Sequence, residues 1–204
     1  MFKLVCKAQN YAWGKKGHDS LVGQIHAKSK PEEVTDETCF AEFWMGDHPN
    51  GPSQVKIDSQ DQVIKELIAN DEFMAQNEGK TVAITELFKL NAQKFLGEKY
   101  LERFVPQDPK LATSLTFLFK VLSVRTALSI QAHPNKQLAE KLHVEFPDKY
   151  KDANHKPEIA VALVDDFLAC YGFASAEQMK INLEQNPVLG QIFALAPEAE
   201  LPNE

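Results

Sequence analysis

Cysteine is scarce in this chain of 204 residues: only Cys6, Cys39 and Cys170 occur, and they are far apart. An odd number of cysteines without close spacing offers neither a disulfide framework nor a paired-cysteine metal site. The sequence therefore predicts a protein of a reducing compartment.

Long apolar runs are also missing. The longest uncharged apolar stretch, residues 159–164, is far shorter than the roughly 20 residues of a membrane span. The amino-terminal residues MFKLVCKAQN have too short an apolar core for a signal peptide. We expect a cytoplasmic protein that does not engage a membrane.

Positively charged residues are in the minority: the chain has 22 basic and 29 acidic residues, which gives a net charge of -7. Such a field repels phosphate backbones, so nucleic acid is not an expected partner. With 44% apolar and 25% charged residues, the composition is too balanced for a disordered or fibrous protein. It predicts a soluble globular chain with one large core or two small ones.

Alternation and helical periodicity predict the secondary structure. Residues 11–37 are expected to form loops with a short strand, and residues 71–112 helical pieces with turns. Strands are predicted at 2–6, 38–45, 117–124 and 127–133, and at 157–165 continuing into 167–173. Helices are predicted after a capping Asp61, from Pro134 to before Pro147, and beyond Ser175 through Met179, Leu183 and Ile192.

The predicted strand at 38–45 has one chemically useful face. Alternation places Phe40, Glu42 and Trp44 together, with the intervening residues on the other side. The turn GDHPNGP that follows contains two prolines and two glycines and is interpreted as architectural.

The segment SIQAHP is the most informative of the chain. On an extended strand Ser129, Gln131 and His133 share one face. Gln131 and His133 would lie roughly 6 to 7 Å apart at Cα, a span that one metal ion can bridge. Spacing alone leaves the alternative open that this is a polar pair satisfied by backbone groups.

The segment HKPE supplies a second polar pair. Pro157 favours an extended Lys156, so Lys156 and Glu158 also fall on one face, ahead of an almost wholly apolar run. A carboxylate and an ammonium at the start of a buried strand need a partner or a chemical role. A surface carboxylate and a solvated lysine are the alternative.

Four blocks together carry a family resemblance: QNYAWGKKG, FAEFWMGDHPNGPS, LFKVLSVRTALSIQAHPNKQLAEKLH and NHKPEIAVAL. In this order they resemble type I mannose-6-phosphate isomerase, over about residues 9–173. The resemblance implies a mixed β and α fold, with a cupin-like β-barrel and an inserted helical domain. It also implies a catalytic domain over 1–173 and the start of the helical domain over 174–204.

The resemblance further implies interconversion of mannose 6-phosphate and fructose 6-phosphate with one zinc ion, supplying mannose for GDP-mannose synthesis and glycosylation. The implied zinc ligands are Gln131, His133 and Glu158. The family's fourth ligand, a histidine, and a substrate arginine come from its second half and have no counterpart here. The sequence thus resembles the amino-terminal part of a longer enzyme, which is expected to be a monomer when full length.

Further site residues follow from the same resemblance. Beside a divalent cation the charged form of Lys156 is disfavoured, so Lys156 is the candidate acid or base. Substrate contacts are expected from Ser129, Lys120, Glu42 and Trp13. For each of these the alternative is an ordinary structural residue.

Two other functions compete with the isomerase. A cupin-type metal oxygenase would be expected to carry a His-x-His strand, whereas the first position here is Gln131. A catalytically incomplete amino-terminal fragment of the isomerase would keep part of the fold and bind zinc weakly or not at all.

Overall fold

The computed structural model describes residues 2–165, 167–170, 172–188 and 191. The chain divides after Leu128 into two compact units. Among the described residues, unit 1, up to Leu128, contains the strands and five α-helices, and unit 2, from Ser129 onward, contains two further α-helices. In the described ranges no helix is long and apolar enough to cross a membrane.

The strands of unit 1 are short and pair only in antiparallel fashion. They are β1 (Leu4–Val5), β2 (Lys7–Gln9), β3 (Lys15–Lys16), β4 (Cys39–Phe40), β5 (Glu42–Met45), β6 (Gln54–Lys56), β7 (Thr81–Ala83) and β8 (Phe119–Leu122). They form two three-stranded sheets, ordered β1-β6-β7 and β2-β5-β8, and the β3-β4 ribbon. The predicted strand at 38–45 is therefore present as β4 and β5.

The helices are α1 (Leu21–Ala27), α2 (Gln62–Ile68), α3 (Asp71–Asn77), α4 (Ile84–Leu96), α5 (Glu98–Phe104), α6 (Lys136–Glu145) and α7 (Ala176–Gln185). Asp61 caps α2 as predicted, because its carboxylate accepts from the amides of Val63 and Ile64. Ser175 caps α7 in the same way. The predicted helical residue Ile192 lies outside the described residues.

Two helix predictions need correction. Pro134 is not the first residue of α6, because Asn135 is the cap and its side chain accepts from the Leu138 amide. Helix α1 was missed within the long polar stretch, where Ser20 caps it through the Gly23 amide and also donates to the Phe40 carbonyl. Because one hydroxyl links the helix start to β4, this cap depends on tertiary structure as well as on local sequence.

Two apolar clusters hold unit 1 together. Next to the β1-β6-β7 sheet, α2, α3 and α4 bury Val55, Ile57, Ile64, Ile68, Met74 and Leu87. Below the β2-β5-β8 sheet, Val22 of α1 and Phe40 pack with Ala8, and Phe43 and Val121 lie against them. The second cluster covers one face of the β2-β5-β8 sheet, so polar side chains can occupy the other face.

Several predicted strands are absent from the described structure. The strand predicted at 117–124 is reduced to β8, and residues 127–133, 157–165 and the described residues of 167–173 are not in strands. A strand needs a neighbour to satisfy its backbone, and the described residues provide none for these segments. Their apolar side chains are accordingly exposed, for example Ile159 at 95%.

The fold is thus mixed α and β, with small antiparallel sheets and, among the described residues, no closed barrel. The mixed class was predicted correctly from the sequence.

Candidate active site

Register defines the polar face of the β2-β5-β8 sheet. Gln9, Glu42 and Leu122 stand opposite one another in one row, and Lys7, Trp44 and Lys120 in the next. Directly paired residues of antiparallel strands point to the same side of the sheet. This side, which we call the polar face, therefore carries Lys7, Gln9, Glu42, Trp44, Lys120 and Leu122.

Glu42 lies at the centre of the polar face. Its side chain is only 11% exposed, and its Oε2 lies 3.4 Å from Lys120 Nζ and 2.5 Å from Trp44 Nε1. A buried carboxylate is costly unless it is paired and hydrogen-bonded, and these two donors satisfy that requirement. The structure thus brings together two residues selected from the sequence, Glu42 and Lys120.

Gln9 is a polar-face residue that sequence reasoning missed. It is 9% exposed, and its Nε2 is buried without a hydrogen-bond partner among the described residues. A Cβ added at Gly51 would come within 3.1 Å of this nitrogen, so the turn after β5 packs closely over it. The sequence signal that could have found Gln9 is the alternation within residues 7–9, which puts Lys7 and Gln9 on one side.

Trp13 is half-buried and stacks on Tyr11, with ring centroids 5.8 Å apart. Its backbone is fixed, since the Trp13 carbonyl accepts from the amides of Arg125 and Thr126 and the Arg125 guanidinium donates to Ala12 and Gly14. The loop that carries Trp13 is therefore tied to the chain just after β8.

The second group of candidates lies in unit 2. His133 Nε2 and Glu158 Oε2 are 3.5 Å apart, with side chains 30% and 56% exposed. They lie 25 positions apart in sequence, so their proximity is a product of the fold. Ser129, Gln131 and Lys156 are exposed in the same unit, outside any strand.

The spacing of this pair suits a metal ion. Two ligands bound at about 2.0–2.2 Å to one tetrahedral zinc lie roughly 3.3–3.6 Å apart. In the described part of the chain no three histidine, cysteine, aspartate or glutamate side chains form a metal-site group. The side-chain carbonyl of Gln131 is a candidate oxygen donor of another kind.

Comparison with known proteins places the chain in a family. Its sequence matches the model of the phosphomannose isomerase type I catalytic domain over residues 1–97 and 98–175. The chain therefore belongs to the type I phosphomannose isomerase family.

Similar curated proteins include mannose-6-phosphate isomerase 2 of Arabidopsis thaliana, 40% identical over 93% of this chain, and human mannose-6-phosphate isomerase, 39% identical over 92%. The chain spans 38% of the length of each of these relatives.

Among solved structures, a variant of phosphomannose isomerase from Salmonella typhimurium is similar with a TM-score of 0.50 and 28% identity. The match covers 75% of this chain and 32% of the other.

Proposed function

We propose that this chain contributes the amino-terminal part of the active site of a zinc-dependent isomerase that interconverts mannose 6-phosphate and fructose 6-phosphate. Family membership supports the reaction, because the relatives are named mannose-6-phosphate isomerases. The observation that carries the metal site is the 3.5 Å separation of His133 Nε2 and Glu158 Oε2.

We assign Gln131, His133 and Glu158 as zinc ligands. One imidazole nitrogen, one carboxylate oxygen and one amide oxygen make a borderline-hard donor set compatible with zinc. Zinc, when bound, supplies Lewis acidity toward the sugar oxygens. A fourth ligand is expected from the family's second half.

The other residues have roles in handling the substrate. Isomerisation moves a proton between C1 and C2 of the sugar, so an acid or base must lie within reach, and Lys156 is the candidate. Glu42 and Lys120 form a polar pair suited to sugar hydroxyls, and Ser129 and Trp13 complete the proposed substrate contacts. The phosphate does not react, so its binding serves to orient the sugar.

The barrel expected for the family is part of the proposal. Ile159, Val161 and Leu163 are 95%, 79% and 70% exposed, and alternation would place them on one side of a strand. Such an apolar side is typical of a strand that packs into a core. We infer that residues 127–133 and 157–165 form cupin-like barrel strands when further strands of the family are present.

The cellular role follows from the proposed reaction. An isomerase of this kind would work in the cytoplasm as a monomer, with a sugar phosphate as its partner, and would supply mannose for GDP-mannose synthesis. Family membership favours this function over a cupin-type oxygenase. A catalytically incomplete fragment is the second candidate, because the chain spans only 38% of its relatives.

Activity should depend on the family's second half. A site without its fourth ligand and substrate arginine should bind zinc weakly, and exposed strand edges should promote association. We expect little or no isomerase activity and a tendency to aggregate for the 204-residue chain, and a soluble, active longer form that includes the second half. The measurement is a coupled assay for fructose 6-phosphate from mannose 6-phosphate, on both lengths at matched zinc.

The 204-residue chain and the longer form serve as controls for each other in this assay. Comparable turnover by the 204-residue chain would mean that the site is complete without the second half. A longer form that binds zinc but converts no mannose 6-phosphate would refute the proposed function itself.

A further inference from the structure

Trp44 is a residue of the polar face to which the proposed function assigns no role, although it contacts Glu42 directly. It lies two residues after Glu42 on β5, so both side chains project to the same side. Its indole N–H donates to Glu42 Oε2 within a site where the Trp44 residue is 7% exposed. The contact is therefore shielded from the water that would otherwise compete for it.

The two side chains that donate to Glu42 use the same oxygen of its carboxylate. The Trp44 indole and the Lys120 ammonium bond to Oε2. Oε1 is consequently left as the acceptor for a further donor, such as a hydroxyl group of a bound molecule.

The indole is the more rigid of the two donors. Lys120 reaches Oε2 at 3.4 Å through a flexible side chain that is 33% exposed. Trp44 is held more firmly. Its ring packs edge-on against the His48 ring, with the ring centroids 4.9 Å apart, and Lys120 Nζ lies 5.9 Å from the Trp44 ring centroid. Since the Trp44 backbone is also paired in the centre of the sheet, its N–H has little freedom to leave the carboxylate.

We propose that Trp44 is a positioning residue that holds the Glu42 carboxylate and thereby presents Oε1 to a hydroxyl of the sugar phosphate. This inference rests on the proposed function, because it takes Glu42 as a substrate contact. Trp44 acts through Glu42 and does not itself need to touch the ligand.

Trp44→Phe removes the N–H and keeps an aromatic ring in place. In the zinc-loaded longer form we expect the dissociation constant for fructose 6-phosphate to rise about tenfold, the scale of losing a hydrogen bond to a charged group. In a Glu42→Ala background the same substitution should have almost no further effect, because there is no carboxylate left to position. Isothermal titration of the two single variants and the double variant measures this cycle.

A second measurement tests the contact without any ligand. In the longer form without substrate, Glu42→Gln should shift the indole ¹⁵N–¹H signal of Trp44 and leave that of Trp13 in place. The spectra of Trp44→Phe and Trp13→Phe assign the two signals. Tyr100→Phe is the control for the loss of a hydrogen bond elsewhere in unit 1, because the Tyr100 hydroxyl donates to the Ser114 carbonyl at 2.7 Å. This variant should bind fructose 6-phosphate as the unsubstituted protein does.

The results of these measurements distinguish a positioning role of Trp44 from a packing role, and a failure of this inference from a failure of the proposed function. An equal loss of binding from Trp44→Phe with and without Glu42 would make Trp44 a packing residue and overturn the inference. An indole signal indifferent to Glu42→Gln would overturn it as well. If the unsubstituted longer form binds no fructose 6-phosphate, the proposed function is wrong, and Glu42 Oε1 cannot be presented to a sugar phosphate. The indole signal would still show whether Trp44 holds the Glu42 carboxylate.

Discussion

His133→Ala should abolish stoichiometric zinc binding in the longer form of the protein. His133 is the imidazole donor of the proposed set, and its Nε2 lies 3.5 Å from the Glu158 carboxylate. Loss of a direct ligand should cost more than the roughly 10–100-fold in affinity typical of losing an outer-shell partner. We expect the zinc content to fall from one equivalent to a trace, with isomerase activity lost in parallel.

The measurement is elemental analysis of the purified protein after exhaustive dialysis. His18→Ala is the matched control, because His18 is exposed in unit 1 and its side chain has no assigned role. That variant should keep one equivalent of zinc. Retention of a full equivalent by His133→Ala would show that the metal is bound elsewhere.

Lys156→Met should lower the turnover number by roughly 10² or more, the usual scale for loss of a general acid or base, with zinc still bound. Lys156 lies two residues before the proposed ligand Glu158, and methionine keeps the length of the side chain without its ammonium. The reason for the expected loss is that proton transfer between C1 and C2 would lack its candidate acid or base. Steady-state kinetics and the zinc content of the same sample measure it.

Lys151→Met is the control, since Lys151 is equally exposed in the same unit and has no proposed role. Its kinetic constants should match those of the unsubstituted protein. Normal turnover with a raised Michaelis constant for Lys156→Met would instead identify a phosphate-binding residue.

Local signals in the sequence predicted the parts of unit 1 that depend on local physics. Asp61 caps α2 because its side chain reaches the amides two and three residues ahead. Alternation along 38–45 correctly grouped Glu42 with Trp44, because β5 is paired on both sides and its faces are fixed. It wrongly added Phe40, which packs in the apolar cluster with Ala8 and Phe43, because the strand is interrupted at Ala41. Helix α1 was missed although Ser20 caps it locally through the Gly23 amide, because the helix has only seven residues and one of them is a glycine.

Features that depend on distant partners could not be obtained from one sequence. The segments at 127–133 and 157–165 have the composition of strands, yet in the described structure they belong to no strand. The contact between His133 and Glu158 was expected only from the family resemblance, because no local pattern relates residues 25 positions apart. The contact between the Lys120 ammonium and the Glu42 carboxylate required the register of β5 and β8.

The central claim is that Gln131, His133 and Glu158 bind one zinc ion. A crystal structure of the zinc-loaded longer form, with the metal located by anomalous scattering at the zinc edge, tests it most directly. The account predicts an oxygen of Gln131, His133 Nε2 and an oxygen of Glu158 each within about 2.0–2.2 Å of the same zinc ion. A zinc ion bound by other residues, with any of these three outside its coordination shell, would contradict it.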